Sequence, residues 1–184
     1  MHFAPDTVLN LEFAVALCNT VAGATKSGRD ELTTVADLDA LLSNWVFSGR
    51  IDHDELEVAD MRVTRDRARR LWTMTRDEAV DEVNAMLLEA RALPQLQRHD
   101  SYDWHIHAID DAAPLGERMR VEVAMTFVDV IRSDEMHRLR LCAAPDCDGV
   151  LADLSRNGSK QYCSIRCGNR MNMVAFRERA AADA

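Results

Sequence analysis

The chain has 184 residues, 47% hydrophobic and 29% charged, the composition of an ordinary soluble globular protein with room for one sizeable domain and a small appended module. Twenty-two Lys and Arg against 31 Asp and Glu give a formal charge of −9, so any contact with nucleic acid needs a local basic patch. No apolar run approaches the roughly 18 residues of a membrane span, and the opening Met1-His2-Phe3-Ala4-Pro5-Asp6 lacks a basic n-region, an apolar h-region and a cleavage site, so a cytoplasmic location without membrane contact is expected.

The expected fold is mainly α, with a helical domain over 1–136 and a small cysteine-bearing module over 137–184. Leu9, Phe13, Leu17 and Val21 recur at four-residue steps and predict a helix over about 7–22, with Asp6 as its cap. Cys18 lies beside that stripe and reads as a small buried hydrophobe. Gly23 to Asp30 is a polar loop with glycine near each end. Thr33 or Thr34 opens a second helix carrying Val35, Leu38, Leu41, Leu42 and Trp45 and ending near Gly49.

A third helix from about Asp52 carries Leu56, Ala59, Val63 and Leu71, with Arg62, Arg65, Arg67, Arg69 and Arg70 crowded on it. Five arginines in nine residues cannot share one helical face, and Glu55, Glu57, Asp60 and Asp66 are close enough to pair, so a solvated, ion-paired surface is expected. Thr75 and Glu78 form the capping box of a fourth helix that runs to about Ala92 before Pro94. The pattern then turns to alternation: Trp104, Ile106 and Ala108 against His105 and His107, with Leu96 across a turn at His99-Asp100-Ser101, predicts a small β-hairpin with exposed imidazoles. His105 and His107 share a face as a two-histidine metal site requires, but Asp103 and Asp110 are weak third ligands. Pro114 precedes a last long helix with Met119, Val123, Phe127, Val130 and Ile131 on one stripe. Trp45, Trp72 and Trp104 are expected to pack in the core, although a ligand pocket between the helices is a second use for such side chains.

Four of the five cysteines, Cys142, Cys147, Cys163 and Cys167, form two close pairs separated by fifteen residues. That is the ligand set of a closed tetrahedral Zn2+ site. Disulfides need an oxidising compartment; an iron–sulfur cluster uses the same four thiolates, but nothing else in the sequence points to electron transfer. A knuckle at Cys142–Cys147, a hairpin across 150–162 and a helix from about Ser164 to Ala180 make a treble-clef-like module. Cys163 and Cys167, four apart, put both sulfurs on one side of that helix.

Leu139-Arg140-Leu141-Cys142, Asp153-Leu154-Ser155-Arg156-Asn157-Gly158 and above all Cys163-Ser164-Ile165-Arg166-Cys167-Gly168-Asn169-Arg170 resemble the CGNR zinc finger over about 137–180. Such fingers usually follow a helical region of the ABATE type, described as a stress-induced transcription regulator, and Leu11-Glu12-Phe13 with Asn19-Thr20-Val21 resemble its first-helix signature. The resemblance implies a zinc site in which Gly168, Asn169 and Arg170 support the ligands, and a DNA-binding regulator. Arg156, Lys160, Arg166, Arg170 and Arg177 are then the candidate contacts to double-stranded DNA. Ser159-Lys160-Gln161-Tyr162 stands where the finger usually shows several basic residues and a tryptophan, which thins the basic surface.

Residues 137–184 hold eight Lys or Arg and five Asp or Glu, a formal +3, against −12 for 1–136. Four thiolates and one zinc ion reduce the former to about +1, so for Arg166 and Arg170 neutralising the metal site and meeting phosphate stand as equal uses. Two function classes follow. One is a transcriptional regulator with a helical sensing or homodimerising region; the other is a protein-interaction or small-molecule-binding helical domain whose finger is purely structural. An enzyme is not expected, since the sequence has no nucleophile elbow, phosphate loop, dinucleotide fingerprint or His-Glu-x-x-His.

Overall fold

The computed structural model describes residues 3–98 and 103–182. In chain order these form α1 (Pro5–Cys18), α2 (Val35–Leu42), α3 (Glu55–Leu71), α4 (Arg76–Glu89), β1 (Gln95–Gln97), β2 (His105–His107), α5 (Leu115–Arg132), β3 (Leu139–Leu141), β4 (Val150–Ala152) and α6 (Ile165–Ala182). The architecture is mainly helical, with two small antiparallel hairpins, β1–β2 and β3–β4. Helix α5 is the central element and packs against α1, α3 and α4; it buries the expected Met119, Val123, Phe127 and Val130.

Helix α1 begins at Pro5, whose missing amide costs nothing in a first turn. Asp6 is not its cap: it lies in the first turn, where its carboxylate accepts from Thr7 N at 2.9 Å. The buried side is Thr7, Leu11, Phe13, Ala14, Leu17 and Cys18, while Leu9 is 40% exposed and Val21 lies beyond the helix. Four-residue steps overshoot a turn of 3.6 residues by about 40° each, so a stripe built only from them winds off the core face.

Helix α2 has the capping box of Thr34 and Asp37 but stops at Leu42, short of the expected Gly49. Gly49 instead has φ of +84° in the following loop, and a Cβ there would lie 2.5 Å from the carbonyl oxygen of Asp111, so both its conformation and its space exclude a side chain. In α3 the stripe is also shifted. Val58, Met61, Ala68 and Leu71 are buried, whereas Leu56 and Val63 face solvent.

The same buried face carries a charged residue, Arg65. Its guanidinium holds both carboxylate oxygens of Asp30 at 2.7 and 2.9 Å and donates to Thr20 Oγ1 at 3.0 Å, which ties the loop after α1 to α3. Arg65, Arg67 and Arg70 are ion-paired, mostly with distant partners: Arg65 also with the expected Asp66, Arg67 with Glu82 and Glu89, Arg70 with Glu82, whereas Arg69 donates to the carbonyls of Cys18 and Asp148. Asp60 pairs with Arg120 instead.

Helix α4 starts at the Thr75–Glu78 capping box. In the β1–β2 hairpin Leu96 stands opposite Ile106, as the alternation predicts; the turn expected at His99-Asp100-Ser101 lies outside the described residues. The faces are reversed, however. Trp104 and Ile106 are 63% and 42% exposed, and His105 and His107 are half-buried. Trp72 is the buried tryptophan, at 5.4 Å from the Phe127 ring, and Trp45 is half-buried against Phe13. No helix among the described residues is long and apolar enough to cross a membrane.

Candidate metal centre

Strands β3 and β4 pair Leu139 with Ala152 and Leu141 with Val150, so the hairpin brackets the knuckle that carries Cys142 and Cys147. It does not span 150–162, where it was expected. The knuckle closes through Cys142 N to Gly149 O at 2.7 Å and Cys147 N to Ala144 O at 3.1 Å. The second pair flanks the start of α6, where Ser164 Oγ accepts from Cys167 N at 3.2 Å in the manner of a helix cap. Backbone amides also point at sulfur: Gly149 N to Cys147 Sγ and Cys163 N to Cys142 Sγ, both 3.4 Å.

All four sulfurs lie within 4.8 Å of one another. Cys147 to Cys163, Cys147 to Cys167 and Cys163 to Cys167 measure 3.6, 3.7 and 3.8 Å. Four thiolates about 2.3 Å from a central zinc stand about 3.8 Å apart at the edges of a tetrahedron, whereas a disulfide needs about 2.05 Å. The donor set therefore fits a tetrahedral metal ion.

Charge argues in the same direction. Burial and the neighbouring thiols Cys147 and Cys142 push the Cys163 thiol well up. Burial also opposes ionisation of Cys167, but hydrogen bonds from Ser164 and the other cysteines outweigh it and hold that thiol at about 7. Four sulfurs so close cannot all ionise without a cation to share.

Gly149 is the residue whose importance the sequence does not display. A Cβ on it would sit 2.6 Å from Cys163 Sγ and 3.2 Å from Cys147 Sγ, so the glycine leaves the space the thiolates occupy. Gly168 is less constrained, since a Cβ there would meet only Tyr162 at 3.5 Å. Arg170 pairs with Asp146 of the knuckle and reaches Cys167 Sγ at 4.0 Å. Arg166 donates to Thr25 O at 3.0 Å, and Asn169 is exposed. Met171 packs on the cysteine cluster, while Met173 is 52% exposed; neither methionine docks on the helical body.

The strands, by contrast, are built into that body. Leu139, Val150 and Ala152 share one core with Leu11, Ala14, Leu71 and Phe127. Asn19 extends the pairing with its side-chain amide, accepting from Val150 N at 2.7 Å and donating to Val150 O at 2.9 Å, and Trp72 Nε1 donates to Leu151 O at 3.0 Å. Asn19 thus stands in the first-helix signature as the residue that grips the finger.

After β4 the fully buried Asp153 organises the next loop. Burial would raise its pKa, but donation from the Ser155 hydroxyl, Ser155 N and Lys160 N holds it below the ordinary range. Arg138 and Arg140 clamp the same loop by donating to the carbonyls of Asp153, Ser155, Gly158 and Lys160. Arg156 and Lys160 are exposed on this loop and Arg177 on α6. Of the five basic candidates, Arg166 and Arg170 are thus engaged inside the molecule.

Two family models match. One is the CGNR zinc finger, over residues 138–180; the other is ABATE, described as a "putative stress-induced transcription regulator", over residues 11–134. The chain belongs to the ABATE family. Its ABATE region supplies α1 to α5 and its CGNR finger the cysteine cluster. No curated protein matches the chain.

Proposed function

We propose that the chain is a cytoplasmic, zinc-dependent transcription regulator whose CGNR finger meets double-stranded DNA and whose ABATE region senses a signal and self-associates. In this reading Cys142, Cys147, Cys163 and Cys167 hold one Zn2+. The ion supplies a fixed tetrahedral joint, and with four thiolate ligands it has no open position for water. The observation that carries the reading is the projection of α6, which buries one of its eighteen residues, Cys167, and presents Arg177 and Arg179 to solvent beyond the body. Together with Arg156 and Lys160 these form a small basic set.

Three or four phosphate contacts give a salt slope of about −3 to −4 in log–log form, weak enough that any specificity must come from base or shape contacts. Arg177→Ala and Arg156→Ala are each expected to weaken DNA binding while zinc stays bound. The test is selection of fragmented genomic DNA from the source organism by the zinc-loaded protein at about 150 mM salt, followed by sequencing. A shared enriched sequence supports the regulator; no enrichment, with one zinc bound, favours the second reading. That reading, a ligand- or protein-binding helical domain clipped by a structural finger, is favoured by the depth at which β3 and β4 enter the core.

A further inference from the structure

A cavity of about 490 Å³ opens between α1, the 44–48 segment, β2 and the N-terminal half of α5, a volume in the range of small-molecule sites. Neither the metal centre nor the basic surface includes it. It exists because α2 stops early: the irregular stretch after it brings Trp45 and Phe47 edge-on to Phe13, with ring centroids 5.6 and 4.9 Å apart. Leu9, Val46, Ile106, Ile109 and Met119 add to the apolar lining.

Arg118 fixes that stretch in place. Its guanidinium donates to the carbonyl oxygens of Ser48, Arg50 and Ala113, so its donors are engaged with backbone rather than aimed at an anion. The charges that face the cavity are mainly negative. Asp6 and Glu12 come from α1, Asp111 from the loop before α5 and Glu122 from α5, against Arg118 and the two histidines of β2. Glu122 accepts from Asn10 Nδ2 at 2.8 Å.

We propose that this cavity is the binding site for a lipophilic organic cation, an aryl or alkyl ammonium or phosphonium, whose apolar body packs on Phe13, Trp45 and Phe47 and whose charge meets the Glu122 carboxylate. Aromatic walls attract a cation through their ring quadrupoles, and a half-buried carboxylate, partly shielded from water, gains more from such a partner than an exposed one does. An anion of the same size meets four carboxylates there and one guanidinium already engaged.

Proton linkage follows from the same group. Burial, helped by Asp6 and Asp111 and opposed by Asn10 and Arg118, pushes the Glu122 pKa up to about 7. A cation bound beside Glu122 favours its ionised form and releases the proton. Affinity therefore rises with pH through about 7; the other titratable groups facing Glu122 across the cavity are Asp6 and Glu12 of α1, Asp111, and His105 and His107 of β2. The ligand assignment concerns the cavity alone; its role as an inducing signal rests on the regulator reading above.

The test is calorimetric titration of the full zinc-loaded chain, without DNA and in sodium buffers, with tetraphenylphosphonium and with tetraphenylborate, two ions of nearly one shape and opposite charge. The phosphonium is expected to bind at one site, about tenfold more tightly at pH 8 than at pH 6, and the borate not at all. Glu122→Gln is expected to lose about tenfold in affinity at pH 8 and most of the pH dependence, and Trp45→Ala to lose affinity at both pH values, each with unchanged helical circular dichroism. Binding of neither ion, equal or tighter binding of the borate, or full phosphonium affinity in both variants overturns the proposal. DNA is absent from the cell, so failure here and failure of the DNA selection are separate results.

Discussion

In the strand half of the finger, Leu139, Val150 and Ala152 lie in one core with residues of α1, α3, α4 and α5, whereas the helical half, α6, buries a single one of its eighteen residues, the ligand Cys167. The first half is held as any core strand is, by apolar burial and by hydrogen bonds from Asn19 and Trp72. The second half has almost no apolar anchorage: Ile165, Met173 and Phe176 are 83%, 52% and 60% exposed. In proteins most helical stability comes from tertiary packing of an apolar face rather than from propensity, and α6 has almost no such packing. The cysteine cluster is therefore the joint that makes α6 a fixed part of the molecule, with Arg166 on Thr25 O and Arg170 on Asp146 as minor supports.

The largest expected effect comes from breaking that joint. Cys163→Ser, or chelation of the metal, is expected to remove the bound zinc and melt α6, because modules of this kind draw about 10–16 kcal/mol of apparent folding free energy from metal. Atomic absorption should show the loss of one zinc per chain, and circular dichroism a partial loss of helix with α1, α3, α4 and α5 retained. Unchanged zinc stoichiometry in Cys163→Ser contradicts the assignment.

A change confined to the body should do the reverse and leave the metal alone. The Glu122 carboxyl is raised in the folded chain from about 4.5 to about 7, so the folded state binds more protons than the unfolded one between those values, and stability falls as pH rises through that window. The full effect is about 3 kcal/mol at that shift. Glu122→Gln should flatten this dependence and be the more stable protein at pH 8, read as thermal midpoints from pH 5.5 to 8 with zinc content unchanged. A wild-type stability that rises steadily through this range sinks the linkage.

Two smaller changes separate the halves from within. Asn19→Ala removes both bonds to Val150 and is expected to cost about 2 kcal/mol in denaturant unfolding, with little change in zinc affinity. Gly149→Ala places a methyl against Cys163 Sγ and is expected to lower zinc affinity about 10- to 100-fold in chelator competition, the range seen when groups supporting a metal's ligands are altered, with little change in the unfolding of the body. If the two effects are exchanged, or appear equally in both assays, the division between the halves fails.

The features set by local chemistry are the ones the sequence displays. Thr75 with Glu78 announces the start of α4, the Pro114 junction and its stripe announce α5, and the cysteine spacing brings four sulfurs to one point. What it conceals depends on distant partners. Arg65 stands on the buried face of α3, where an apolar residue is expected, and the counterion that allows this, Asp30, is thirty-five residues away. His105 and His107 are half-buried and Ile106 is 42% exposed, against the alternation, and all three line the cavity beside α1 and α5. Gly149 reads as a turn glycine, and only the converging sulfurs show that its missing side chain is space for Cys163. Asn19 belongs to a recognisable signature, but its grip on Val150 spans 131 residues.

The most direct test of the joint is amide hydrogen exchange, followed by mass spectrometry, on the zinc-loaded protein and on the same protein after chelation. Segments across 165–182 are expected to lose protection when the metal is removed, while those across 5–18, 55–71 and 115–132 keep theirs. Protection of α6 that survives chelation, or a collapse of protection throughout the chain, would contradict a metal cluster that holds α6 alone.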